Sequence, residues 1–491
     1  MLSSLEMFVL LIFFLYVNKI FSSFIVLPFK KESIKNNFPQ SKYNINIYTN
    51  LEIGEPKQNI KIYFRDDFFS FFILSRESTY NEEELKNPFE SNLKDLKIID
   101  TFYDNKESST YNNFSDNQNF FIDIFYRKGF LSSETFYFNV DNQNDFKRFN
   151  DIEFVLVNKI KPNRTFISGA IGLLVDEYFL EGAQSFAKML VKKNITTYYL
   201  WSKIYTNENE GIFLFGDFPH VLYKDKFLRE QYIETDIKLN VYKQKWNLDF
   251  NEIFIKIKKD GIDISNNDEY KYLYLNITLY GELKHNLGLI IGTVEYQQLI
   301  DNIFFNENIK NGICHKNNAL INDFNDDNIN YTYYYCNNDK SFNKTKFPTL
   351  FLKQSKLEYT FELNENDLFI LSNEKWYFMI IFEGEEIQDQ RHKWMFGEPL
   401  LKKYQFVFDP TNYKIGFYNP IISINSSERK DKEYDKININ NYKELIFFAF
   451  LALFIFIILL FLYHKLLVKK DLNDSGKNQY TELQNLTIKK I

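Results

Sequence analysis

The sequence predicts an all-β protein with a few short helices, plus a C-terminal transmembrane helix. Three observations carry that prediction. Apolar residues alternate with polar ones at period two, in Tyr43, Ile45 and Ile47 and again in Ile60, Ile62 and Phe64. Short unbroken apolar runs, Phe154-Val155-Leu156-Val157 and Ile212-Phe213-Leu214-Phe215, read as buried strands. Helical signals are few: residues 183–193 carry Phe186, Met189 and Leu190 at helical spacing, and residues 294–304 carry Leu299, Ile300 and Ile303.

Composition bounds the rest. At 491 residues the chain suits two or three lobes. With 45% hydrophobic and 25% charged residues it is neither disordered nor collagen-like. A net charge of -6 argues against a general nucleic-acid partner. Two cysteines exclude a disulfide-dense scaffold, and five histidines are too few for a metal-rich enzyme. No metal and no cofactor is therefore expected. Phe (53) and Tyr (34) are in excess, which reads as AT-rich coding bias and not as stacking surfaces.

The chain is framed by two apolar segments. Met7 to Tyr16 is a run of signal-peptide length followed by Ser22 and Ser23, although Glu6 stands where a positive n-region belongs. Residues 1–23 are read as signal peptide and 24–42 as a short N-terminal segment. Leu445 to Tyr463 contains no charge and has the length to cross a bilayer. His464, Lys465, Lys469 and Lys470 follow it, which places the C-terminal side in the cytosol. The expectation is a single-pass type I membrane protein of the secretory pathway, the cell surface or a secretory organelle. Residues 425–444 would form a juxtamembrane stalk and 464–491 a cytoplasmic tail. In that tail Tyr480 and Leu483 fit the tyrosine-based sorting pattern that coat adaptors read. The Asn- and Asp-rich stretch from Asn322 to Asn330 reads as an exposed insert. Sequons at Asn113, Asn163, Asn194, Asn276, Asn330, Asn343 and Asn425 permit glycosylation.

Five blocks in order resemble the pepsin-like aspartic proteases, over about Tyr43 to Pro420. Leu51 to Gln58 (LEIGEPKQ) is similar to the family's first hairpin. Glu107 to Tyr111 (ESSTY) precedes the place of the flap. Ser168 to Leu173 (SGAIGL) is similar to D-G-I-L-G-L, and Gly211 to Asp217 (GIFLFGD) to G-x-L-x-F-G-G. Trp394 to Pro420 resembles the closing block. The resemblance implies a bilobal pepsin-like acid protease fold, with lobes at 43–232 and 233–424. It further implies one D-T-G loop per lobe, whose aspartates share a proton across the cleft floor.

Both of those positions depart from the family. Counting from Gly54 puts the first aspartate on Arg65, in Arg65-Asp66-Asp67-Phe68. Counting back from Gly292 puts the second on Lys284. Asp66 is the fallback acid after a slip of one residue, but Phe68 would then stand for glycine, where its side chain strains a tight turn. Glu282, two residues before Lys284, has no T-G after it. The flap segment from Phe120 to Ser133 is short and offers Phe125 or Tyr126 as its aromatic. Cys314 and Cys336 lie where the family's second lobe commonly carries a disulfide. Free thiols, or a metal pair with His315, are the other readings. The resemblance with its altered site leads to the expectation of a pseudoprotease that holds a protein or peptide ligand in the interlobe cleft. Arg65 and Lys284 facing each other would pair with neighbours such as Asp66 or Asp67, or bind an anion. The rival expectation is an aspartic endopeptidase with a non-standard dyad.

Overall fold

The computed structural model describes residues 23–32, 38–43, 45–66, 70–80, 101–114, 120–121, 128–141, 146–160, 167–174, 185–237, 245–258, 270–275, 279–322, 328–354, 356–357, 359–383 and 393–420. The expected signal peptide (but for Ser23), the stalk, the membrane span, and the sorting residues Tyr480 and Leu483 lie outside them. Among the described residues no helix is long and apolar enough to cross a membrane.

Strands dominate, so the protein is all-β with short helices. The described strands form two curled sheets, one of 14 strands and one of 12. The alternating residues Ile60, Ile62 and Phe64 fall in the strand Gln58–Arg65 and are all buried. Of the two helical segments, the first forms the helix Phe186–Lys192, capped by Ser185. The second is the helix Val294–Ile300, prolonged through a π-turn into Asn306–Lys310.

One local expectation is corrected and two are refined. Tyr43 does not lie in a strand. It ends the short helix Gln40–Tyr43, where its hydroxyl meets that of Tyr331 at 2.9 Å, and the strand begins only at Ile47. Second, the ends of the stretch 322–330, Asn322 and residues 328–330, belong to strands, and residues 323–327 lie outside the described residues. Cys314–Asn322 and Asn328–Asn337 pair up to Asn322 opposite Asn328, held by the cross-strand pair Ile321 and Ile329. Third, the segment 24–42, expected as a short N-terminal segment, contributes a strand to the sheet. Its strand Ile25–Lys31 pairs with Glu210–Phe215 along six residues and also meets the strands Ile47–Ile53 and Lys128–Val140. Ile25, Leu27 and Phe29 are buried there.

The two halves repeat one arrangement around a loop. In the first, Gln58–Arg65 leads through residues 66–70 to Phe71–Tyr80, and Gly169–Gly172 slots between these strands. Ile171 lies opposite Phe64 in the parallel pair and opposite Phe71 in the antiparallel pair. In the second, Leu279–Leu283 leads through residues 284–289 to Ile290–Gly292, with Lys393–Phe396 between them. Phe396 there lies opposite Leu283 in parallel and Ile290 in antiparallel register. Phe71 follows Phe64 by the same number of residues, seven, as Ile290 follows Leu283. Each outgoing strand also pairs in parallel with a further one, Phe146–Ile160 in the first half and Ile380–Glu383 in the second. The floor beneath is aromatic: Phe64 stacks on Phe213 at 3.8 Å and Trp201 on Phe408 at 4.3 Å. Rings of this size bury a large apolar area each.

Candidate functional site

The repeat fixes which residues of the two loops correspond. Since Phe64 matches Leu283 and Phe71 matches Ile290, Arg65 corresponds to Lys284. Backbone bonds follow the same scheme. Gly172 N–H donates to Ser70 O at 3.0 Å, and Gly397 N–H to Leu289 O at 3.1 Å. Glycine is required at 397, because a β-carbon there would sit 2.1 Å from Leu287 O.

Both corresponding positions are cationic, but their surroundings differ. Arg65 is buried at the end of the strand that leads into the first loop, and its carbonyl accepts from Leu173 N–H at 2.8 Å. Lys284 is partly exposed and pairs with Glu282 at 2.9 Å. Glu282 is buried and also meets Lys245 at 3.2 Å. Lys284 thus has an acidic partner in Glu282, two residues back near the end of the strand Leu279–Leu283.

Asp66 is used differently. Its backbone N–H donates to Asn286 Oδ1 at 3.2 Å, and Asn286 N–H donates back to Asp66 Oδ2 at 3.2 Å. The Asn286 amide also donates to Phe64 O at 2.9 Å and Ile45 O at 3.0 Å. The tips of the two loops are therefore tied by a reciprocal clasp. The segment after the short helix joins it: Ile45 N–H donates to Asn286 O and Gly288 N–H to Lys42 O, both at 2.7 Å.

Beneath the second loop lies a buried ionic cluster. Lys203 donates to His285 O at 3.0 Å and approaches Glu398 at 3.8 Å. Glu398 also binds Lys31 at 2.6 Å, Lys402 at 3.4 Å and the Tyr205 hydroxyl at 3.3 Å. Burial pushes the Lys203 ammonium down to about 7, only partly offset by Glu398. It likewise lowers Lys31 to about 8. Burial alone would raise Glu398, but Lys203, Lys31 and Lys402 outweigh it and hold the carboxyl at about 2. His285, between the loop and this cluster, is buried against Trp201 and Phe408 at ring distances of 4.9 and 4.7 Å. Burial first, then Lys203 and Lys284, keep its imidazole neutral.

General acid–base work by a carboxylate pair needs two acids close enough to share a proton. Among the described residues the nearby acids are committed elsewhere: Asp66 to the clasp, Glu282 to two lysines and Glu398 to three. Asp67, Phe68, Phe125 and Tyr126 lie outside the described residues. Cys314 and Cys336 face each other across the hairpin and form a disulfide, which settles the thiol alternatives. His315 stacks on Tyr335 at 4.8 Å.

Sequence reasoning missed Asn286, His285, Lys31, Lys203 and Glu398. A signal existed for some. Lys203 interrupts a buried strand between Trp201 and Ile204, and Glu398 sits in an otherwise apolar stretch. It also missed Glu134, buried at the base of the expected flap. That carboxylate accepts from Ser108 Oγ at 2.6 Å, from Thr110 and from the Tyr103 hydroxyl. No protein-family model matches the chain, and no curated protein matches it.

Proposed function

We propose that the chain is a membrane-anchored pepsin-like pseudoprotease, which binds a protein or peptide partner in the cleft between its halves without cleaving it. One observation carries the proposal: strand register makes Arg65 and Lys284 equivalent, at the positions where pepsin-like enzymes place their two aspartates. Two cations cannot share a proton or activate water as a general base. The five sequence blocks and the repeated strand–loop–strand units support the family reading. The committed states of Asp66 and Glu282 support the loss of chemistry. The uncharged run Leu445 to Tyr463 supports the anchor.

The test is peptidase activity of the full-length protein in detergent micelles. It is scanned from acid to neutral pH against a diverse peptide library, with an active pepsin-like enzyme in parallel. The expected result is no cleavage, with intact peptide retained. Cutting that disappears with pepstatin or in Asp66→Ala would establish an aspartic endopeptidase instead.

A further inference from the structure

His285 occupies an unusual place for a titratable side chain. It lies in the second loop between Lys284 and Asn286, with 1% of its surface exposed. Neither ring nitrogen has a hydrogen-bond partner among the described residues. A neutral imidazole always carries one N–H, so a buried donor is already unpaired. Among the described residues, the charges that act on it directly are cationic. The strand Trp201–Tyr205 brings Trp201 and Lys203, the strand Val407–Asp409 brings Phe408, and its own loop brings Lys284. Lys203 is bonded to the carbonyl of His285 itself, and behind it stand Glu398, Lys31 and Lys402. The Asp66 carboxylate accepts from the N–H of Asn286, the residue next to His285.

We propose that His285 is an acid-triggered latch: its protonation expels the ring from between Trp201 and Phe408 and so releases residues 284–289 from the first loop. An imidazolium in that place would add a second unpaired donor and a third cation beside Lys203 and Lys284. Relief comes only by turning the ring out to water. Asn286 is the next residue, so the movement withdraws its N–H and its amide from Asp66, Phe64 and Ile45 together. The latch acts on the clasp between the loops whether or not the site binds a partner.

The experiment is hydrogen exchange of the full-length protein in detergent micelles, titrated from about pH 7 to about pH 3. Intrinsic exchange rates are corrected, and far-UV circular dichroism is followed in parallel. Residues 284–289 are expected to lose protection while the dichroism is unchanged. In His285→Phe, which fits the aromatic surroundings, and in His285→Gln, the loss moves down by at least about one pH unit or vanishes. If both variants open at the wild-type pH, the carboxylates Asp66 or Glu398 drive the change and the proposal falls. It falls equally if protection of 284–289 is lost only together with the dichroism. Using two variants separates a folding defect in one from the behaviour of the latch.

Discussion

Asp66 and Asn286, 220 residues apart, each donate a backbone N–H to the other's side chain at 3.2 Å. The bond pair joins the tips of two loops that sit at equivalent places in two halves of one chain. It turns a residue that could have been an acid into a strut. Removing it should therefore register first in stability. Asp66→Ala leaves the buried Asn286 N–H without an acceptor and should cost about 1–3 kcal/mol. Asp66→Asn retains an acceptor oxygen and should cost less. Urea unfolding of the two variants against wild type checks the order.

The cluster around Glu398 predicts a pH profile. Glu398 is held at about 2 against 4.5 for a free carboxyl. Its contribution is complete above the free value and is lost as pH falls toward about 2. Lys203 works in the other direction. It titrates at about 7 in the fold against 10.5 when free, so between those values the unfolded chain binds the extra proton. Stability should rise with pH through that window, by at most ~1.4 kcal/mol per pH unit for one proton. Lys203→Met should flatten the rise. Glu398→Gln takes the paired carboxylate from the buried Lys31 and Lys203, while Lys402 keeps Glu208 at 3.1 Å, and should cost about 3–5 kcal/mol at neutral pH. Unfolding midpoints measured from acid to alkaline pH test all three statements.

Glu134 predicts a local effect near the expected flap. Three hydroxyls, from Tyr103, Ser108 and Thr110, converge on its carboxylate. Glu134→Ala should orphan the buried Tyr103 hydroxyl, at about 1–3 kcal/mol. It should also raise the exchange of amides 101–114, which the carboxylate ties to the strand Lys128–Val140. Unchanged exchange there would show that the backbone pairing alone orders this segment.

The disulfide predicts a difference confined to the second half. Cys314 and Cys336 are 22 residues apart in sequence. Reduction frees that loop in the unfolded chain and should lower stability by roughly 3 kcal/mol. The cross-strand pairs from His315 to Asn322 remain, so a reduced protein should keep the hairpin. Thermal unfolding with and without reductant, with exchange along 314–337, is the check.

What the sequence made legible follows from range. Ile60, Ile62 and Phe64 announce their strand because alternation is a local property, and the helix at Phe186 announces itself by its spacing. Tyr43 was misplaced because its period-two match with Ile45 is also local, whereas its partner is Tyr331. The pairing of Cys314–Asn322 with Asn328–Asn337 was not legible in the polar composition around it, because it rests on cross-strand contacts such as Ile321 with Ile329. At the site, Arg65 and Lys284 could be counted along the chain from glycines. The clasp could not, since Asn286 is one asparagine among many and its partner lies in the other half. The cluster of Lys31, Lys203, Glu398 and Lys402 escaped for the same reason: Lys31 and Glu398 are 367 residues apart.

The closing strand Lys414–Tyr418 lies between Tyr232–Asp236 and Val407–Asp409, with five residue pairs on the first side and three on the second. The strand Ile25–Lys31 belongs to the same sheet. This makes the sheet a mechanical element. A pull along the strand axis, applied to whatever follows Pro420, loads both ladders in shear, so the bonds must fail together instead of unzipping one at a time. Tension on the chain would thus be borne first by the two ladders that flank the closing strand, away from the loops, and the clasp would stay unloaded until those ladders gave way.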